Sequence, residues 1–387
     1  MVSEFFYPQP GGISEHIRAL SRALRLRGHQ VTVITSEIKG DVTERDPRVI
    51  RIGRSQPVYY NGAVSRVTWG RRLGPKMAAV LENEAFDLLH VHNPHMPTLP
   101  LLALKHASCP VVGTFHSNNP WDLGSALFHP LMRRWVDRTD IRLAVSPTAQ
   151  KAAARHYPGD YRIVPNGVDF EFISEAAAGV DCFPGLDPQK RKILFVGAAV
   201  RRKGLPYLLR AFARLRETRE DVELVIVGDG PCRRRVQRRI PPALAGDIHF
   251  VGSVPRAKLA EYYASADIFC APSTGQESFG MVLLEAMAAG LPVTGFAIDG
   301  YTDVLRSGEE GILVKPKKVE ALAAALAELL DDRALRARFG DHGRAKARAH
   351  DWSEIARQVE AAYLEALGQP HQEELPFEKK AAAARAR

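Results

Sequence analysis

The 387-residue sequence contains no apolar run approaching the eighteen or so residues that cross a bilayer, and its start lacks the basic, apolar and small-residue order of a secretory signal. A membrane-spanning helix is excluded, and the expected location is cytoplasmic. Cysteine is scarce. Cys109, Cys182, Cys232 and Cys270 lie far apart and form no close pair of the spacing that clamps zinc or exchanges disulfides. Neither a metal site nor a disulfide framework is indicated, and the four read as small buried hydrophobes. Zinc-finger spacing, an RNA-recognition signature and aromatic-basic interleaving are also missing, so no nucleic-acid partner is expected. What remains is the composition of a folded enzyme, 45% hydrophobic and 25% charged with 30 Gly and 26 Pro. The length suits two domains.

Lys and Arg number 53 against 44 Asp and Glu, a net charge of +9 that favours polyanions, phosphorylated substrates or anionic membrane surfaces. The excess is concentrated in Arg201, Arg202 and Lys203, in Arg233, Arg234, Arg235, Arg238 and Arg239, and around Lys379, Lys380, Arg385 and Arg387. Solvated helix faces and a frayed tail account for most of it.

Both halves alternate short β-branched runs with amphipathic stretches, the pattern of parallel sheets covered by helices on both faces. In the first half strands are expected at 30–35, 87–92, 110–115, 141–145 and 162–164. A second series falls at 192–197, 222–228, 248–252, 266–271, 292–296 and 311–314. Between them, 166–190 is rich in Gly, Pro, Asp and Ala without periodicity and reads as a linker, with a boundary near residue 175. The resulting division is 1–175, 176–350, a closing helix in 351–368 that packs back on the first domain, and a mobile tail from 369. Only Met1 and Val2 precede Ser3 and the loop to Gly11-Gly12. The first strand is therefore either missing its front or a short edge strand.

In open parallel sheets ligands bind at the carboxyl ends of the strands, where helix amino termini offer free N–H groups. The segment from Thr274 to Gly290 fits this: a strand ends at Ala271-Pro272, a loop follows, and a helix is expected from about Ser278 to Ala289. Glu277 then precedes the helix while Glu285 lies one and a half to two turns inside it. Glu285 sits between Val282-Leu283-Leu284 and Ala286-Met287-Ala288, and a carboxylate in so apolar a helix needs a partner. Carboxylates accept hydrogen bonds from hydroxyls, and the N–H groups of Phe279 and Gly280 can bind an anion. A sugar, a diphosphate and a ribose match that order.

Glu277, Ser278-Phe279-Gly280, Val282 and Glu285 together resemble the signature of the retaining glycosyltransferases of family 4, which share the GT-B fold of two facing Rossmann-like domains. The resemblance runs through Gly11-Gly12 with His16, Val91-His92-Asn93-Pro94, Thr114-Phe115-His116, Val145-Ser146, Val164-Pro165-Asn166-Gly167, Arg202-Lys203-Gly204, Val227-Gly228-Asp229-Gly230-Pro231 and Glu310-Gly311-Ile312-Leu313-Val314, to about residue 365. It implies that Glu277 holds donor-sugar hydroxyls, Glu285 the ribose, and Lys203 with Arg202 the diphosphate. It implies further that His116 lines the cleft beside the sugar, and that Gly11 and Gly12 let a loop approach the phosphates. His16, on a face with Ile13, Ile17 and Leu20, reads as structural.

The family reaction is transfer of a hexose from a nucleotide-diphosphate sugar to a hydroxyl with retention, by positioning and leaving-group stabilisation rather than a protein nucleophile. No tightly bound cofactor is implied beyond a GDP- or UDP-sugar donor, and a divalent metal requirement is left open. Hydrolysis by paired carboxylates needs them about 5 Å apart in a retaining enzyme, which disfavours it for Glu277 and Glu285. Within the family the motifs resemble bacterial phosphatidylinositol mannosyltransferases, which implies GDP-mannose and a lipid acceptor at the inner membrane face. A patch of Arg66, Trp69, Arg71, Arg72, Leu73, Lys76, Met77, Val80 and Leu81 combines cations with helically spaced apolar residues that could lie on anionic lipid, or form a core-facing helix with a basic outer side. One departure stands out: Gly197 is followed by Ala198 where the family places an arginine. That substitution keeps a catalytically impaired sugar-nucleotide-binding protein as an alternative, beside a sugar-nucleotide epimerase on the same fold.

Overall fold

A computed structural model describes residues 1–9, 11–38, 48–60, 63–117, 129–176 and 186–369. Cys182 and the tail beyond Gln369, expected to be mobile, lie outside the described residues.

Two sheets organise the chain. The second contains β8 (Arg191–Val196), β9 (Val222–Val227), β10 (Ile248–Gly252), β11 (Ile268–Ala271), β12 (Val293–Phe296) and β13 (Gly311–Val314) in the order β10-β9-β8-β11-β12-β13. Every pairing is parallel. The strands β9, β11 and β12 are buried at every position, which is why they read as continuous apolar runs rather than alternating ones. The strand order reverses between β8 and β11. Loops at such a switch point diverge to opposite faces of the sheet and leave a crevice between them.

In the first sheet, β1 (Val33–Glu37), β2 (Val49–Tyr60) and β3 (Ala63–Trp69) form one group, and β4 (Leu89–His92), β5 (Val111–Phe115), β6 (Ile141–Ala144) and β7 (Arg162–Ile163) the other. Val2 joins them, bridging Ile34 on one side and Val91 on the other. The short first strand is thus central, not an edge. It places the second switch point between Val2 and β4, below the Gly11-Gly12 loop. The antiparallel hairpin β2–β3 was not anticipated from the sequence: Arg51, Arg54 and Pro57 interrupt its apolar pattern. It changes the reading of the basic patch, because Arg66 and Trp69 belong to β3, and the helix Leu73–Glu84 begins only afterwards. Met77 and Leu81 are buried in the core, whereas Trp69 is 65% exposed beside exposed Arg71, Arg72 and Lys76.

The segment 166–190 is not uniformly irregular. It contains the helix Phe170–Ala176, whose Phe170 and Ile173 enter the core cluster of the second sheet. The closing helix Trp352–Ala366 returns to the first sheet, where Trp352, Ile355, Val359 and Ala362 pack with Leu20, Leu24, Val112 and Leu143. Trp352 is the pivot of this return. A Cβ on Gly167 would stand 2.6 Å from its ring, and the His16 ring meets it edge-on at 5.2 Å. The lobes also share core directly, since Val145 and Ala149 belong to the second lobe's cluster. Of the cysteines, Cys109, Cys232 and Cys270 are free thiols, but only Cys270 is fully buried.

Replacing Trp352 by Ala removes a large buried ring and leaves the last helix without its anchor. The expected cost is about 3–5 kcal/mol in chemical denaturation. A loss below about 1 kcal/mol, the size of an ordinary surface substitution's effect or little more, contradicts this account of the pivot.

Candidate active site in the cleft between the lobes

The loops after β8 and β11 leave the sheet at its switch point and are stitched together. Thr274 N–H donates to the Arg202 carbonyl at 2.8 Å. Gly204, in the left-handed region at φ +72°, has no space for a side chain: a Cβ there would lie 1.7 Å from the Pro272 carbonyl oxygen. This close approach brings Lys203 Nζ to 2.9 Å from Glu277 Oε1, and the Arg202 guanidinium donates to the same oxygen. Ser273 Oγ lies 3.4 Å from that oxygen and 2.8 Å from the buried Tyr301 hydroxyl. The loop backbone is clamped from behind as well, since a Cβ on Gly300 would meet the Glu277 carbonyl at 2.2 Å. Arg202 is therefore committed to Glu277. Arg201 is exposed and forms no ion pair among the described residues.

The helix after this loop begins at Met281, three residues later than expected, because Gly280 adopts φ +92° and caps it. Ser278, Phe279 and Gly280 are loop. Glu285 consequently lies little more than one turn inside, about 6 Å along the axis from Met281. The N–H groups of Phe279, Gly280, Met281 and Val282 meet no acceptor among the described residues. Open N–H groups at a helix start are suited to an anion. Glu285 does have the partner that its surroundings require. The Tyr263 hydroxyl donates to its Oε2 at 2.8 Å. Burial still raises the carboxyl above its ordinary range, against the lowering effect of Tyr263. Tyr263 was not foreseen, being 22 residues away on another helix.

From the first lobe, the Gly11-Gly12 loop reaches across. A Cβ on Gly12 would stand 3.7 Å from Met281 Sδ, while nothing lies within 4 Å of Gly11. The glycine pair thus faces the start of the helix carrying Glu285. Two direct bonds join the lobes nearby: Ser146 Oγ donates to the Ser278 carbonyl, and Thr148 N–H to Asp303 Oδ2 at 2.9 Å. The Val145-Ser146 motif therefore acts as an interlobe latch. Arg256 adds another contact, donating to Asp169 at 2.9 Å and lying over Phe172.

His116 is only 7% exposed. Its backbone N–H donates to Asn93 Oδ1 at 2.8 Å, and its ring Nε2 lies 3.0 Å from His92 Nδ1. His16 is also buried, with Nδ1–H donating to Asn166 Oδ1 at 2.7 Å. Burial holds the three imidazoles well below their usual range, His16 down to about 4. His116 is thus held in a buried histidine network with His92 and His16. Ala198 is exposed, and its neighbour Ala199 pairs with the 229–232 turn through Asp229 O and Cys232 N–H.

Residues 10–172 match the family model described as Glycosyltransferase Family 4, and residues 183–346 that described as Glycosyl transferases group 1. The chain is 36% identical over 364 residues to a phosphatidyl-myo-inositol mannosyltransferase of Mycobacterium leprae, covering 94% of this chain and 95% of that one. Among solved structures it resembles sucrose-phosphate synthase from Thermosynechococcus elongatus, at TM-score 0.73 and 24% identity over 92% of this chain and 94% of the other. It also resembles Anabaena HepE in complex with UDP and glucose, at TM-score 0.71 and 20% identity over 94% and 98%. Both solved structures share the fold of this chain.

A carboxyl raised by burial makes the fold bind its proton more tightly than the unfolded chain does. The stability associated with the protonated form is complete below the ordinary value of 4.5 and is lost as pH rises through the raised value. Glu285→Gln should therefore raise the melting temperature at pH 7, with the gain vanishing below about pH 4.5, while nucleotide binding weakens. A variant that melts lower at pH 7, or a gain independent of pH, contradicts the assignment.

Proposed function

The chain belongs to the family 4 glycosyltransferases, and from that premise we propose that it transfers mannose from a nucleoside-diphosphate mannose, with retention, to a hydroxyl of an inositol phospholipid. The observation that carries the proposal is the cation-carboxylate knot of Lys203, Arg202 and Glu277 at one switch point, with Gly12 of the first lobe's loop set against Met281 at the start of the helix that follows it. Glu277 accepts hydrogen bonds from the sugar hydroxyls. The Phe279 and Gly280 N–H groups and Lys203 take the diphosphate, and Glu285, held by Tyr263, takes the ribose. Val282, in the first turn of that helix, lies between phosphate and ribose. His116 walls the sugar on the first-lobe side.

As the bond to the anomeric carbon breaks, negative charge grows on the leaving diphosphate. A lysine and preorganised N–H groups stabilise that charge more than they stabilise the ground state, and this difference accelerates the reaction. No carboxylate is positioned as a nucleophile: Glu277 is occupied by two cations and Glu285 by a tyrosine. Attack by the acceptor hydroxyl on the same face, with its proton passing to the departing phosphate, gives retention without one. Arg201 substitutes for the arginine missing at Ala198, being exposed and close along the loop.

The lipid acceptor is supported by the mycobacterial relative's name and by the outer face of β3 and the following helix. Trp69, Arg71, Arg72 and Lys76 are exposed there together. An aromatic ring with cations around it suits an anionic interface, where each cation contributes about 1 kcal/mol.

The wild type incubated with GDP-mannose and vesicles containing phosphatidylinositol should yield a mannosylated lipid detectable by mass spectrometry, with Lys203→Ala slower in kcat by about 10²–10³-fold. UDP-linked hexoses serve as the competing donors. Product formed without any acceptor, or unchanged turnover in Lys203→Ala, would overturn the proposal.

A further inference from the structure

Three buried histidines are brought together from distant parts of the first lobe: His16 from the helix Gly12–Leu26, His92 from the end of β4, and His116 directly after β5. Each offers one ring nitrogen, and the three nitrogens lie within 4.8 Å of one another. No other group of three His, Cys, Asp or Glu side chains among the described residues comes so close. The rings are well ordered by their neighbours. His16 and His116 meet edge to face with centroids 4.6 Å apart, and His92 is tilted against His116 at 5.3 Å.

The hydrogen bonding of this cluster is incomplete. The Asn166 amide oxygen accepts the proton on His16 Nδ1, so His16 Nε2 carries a lone pair. That Nε2 is buried and has no partner among the described residues. Buried polar atoms without partners are rare in folded proteins because each costs its desolvation. An ion that accepts lone pairs removes the deficit. The outer contact is also of the right kind, since a metal-ligating histidine ordinarily donates its second N–H to an oxygen acceptor, which fixes its tautomer and aim.

We propose that His16, His92 and His116 form a binding site for a zinc-class divalent ion that ties the glycine-loop helix to β4 and β5. Three neutral imidazoles with no thiolate favour zinc and its first-row neighbours over magnesium or calcium. Nitrogens around one such ion at about 2.0–2.1 Å stand about 3.4 Å apart. His92 Nδ1 and His116 Nε2 are already 3.0 Å apart. The ion would sit one helical turn beyond Gly12, and its role is to hold the helix that presents the glycine pair.

The test uses the full-length protein, freed of metal by a chelator and then titrated with Zn²⁺ by calorimetry and with Co²⁺ by visible absorption. One equivalent per chain should bind, the cobalt form should show the ligand-field bands of nitrogen coordination, and zinc should raise the melting temperature. His16→Gln should abolish these signals. Asn166→Ala, which leaves all three ligands in place, should weaken zinc by about 10–100-fold. His342→Ala, at an exposed histidine, should leave binding unchanged. Circular dichroism establishes that each variant is folded; if His16→Gln is not, Asn166→Ala decides. Absence of stoichiometric binding by the wild type, or binding untouched by His16→Gln and Asn166→Ala alike, overturns the proposal.

Discussion

One carboxylate oxygen, Glu277 Oε1, receives both Lys203 and Arg202, and the remainder of the second lobe's cleft depends on this convergence. The two loops that supply the charges could not approach without Gly204 against Pro272 and Gly300 against the Glu277 carbonyl. Each of these contacts leaves no space for a Cβ. The partly buried ion pair would be a poor source of stability in itself, because desolvation offsets much of its Coulomb attraction. Its value is chemical. In the proposed reading the same cations that neutralise Glu277 take the diphosphate, so a donor exchanges one anionic partner for another without leaving a buried charge bare.

Around this knot, specific contacts join the two lobes. Ser146 holds the Ser278 carbonyl, Thr148 the Asp303 carboxylate, and Gly12 faces Met281. The glycine loop and the donor loop are therefore held in register by the chain itself. The closing helix, anchored through Trp352, ties the end of the second lobe to the core of the first. In the proposed reading, closure of the two lobes over a donor would exclude water and complete the site. The direct bond from Ser146 to the backbone beside Glu277 couples that closure to the loop that would hold the sugar.

The sequence disclosed the strands of both sheets wherever they are buried on both faces, as in β8, β9 and β11, because such strands form unbroken apolar runs. It concealed the hairpin β2–β3, because Arg51, Arg54 and Pro57 interrupt the apolar pattern of β2. The apolar pattern starts the Glu285 helix too early because nothing in it marks Gly280, whose left-handed conformation makes it the cap. Glu277 and Glu285 were legible from residue type and spacing together. Their partners were not: Tyr263 approaches Glu285 from another helix, and Ser273 and Tyr301 complete the loop from behind. The histidine network is the clearest instance. His16, His92, His116 and Asn166 are scattered over 150 residues, and only the parallel topology assembles them.

The central claim is that Glu277 binds the sugar while the cations paired with it bind the diphosphate. Calorimetry of a nucleoside diphosphate and of the corresponding nucleotide-hexose, on wild type and Glu277→Gln, separates these roles. Affinity for the bare diphosphate should be retained or increased in the variant, as Lys203 and Arg202 are released. The additional affinity conferred by the sugar should fall by about 10–100-fold, the loss of charged hydrogen bonds worth about 1.5–3 kcal/mol. Equal losses for both ligands, or none for either, would contradict the account.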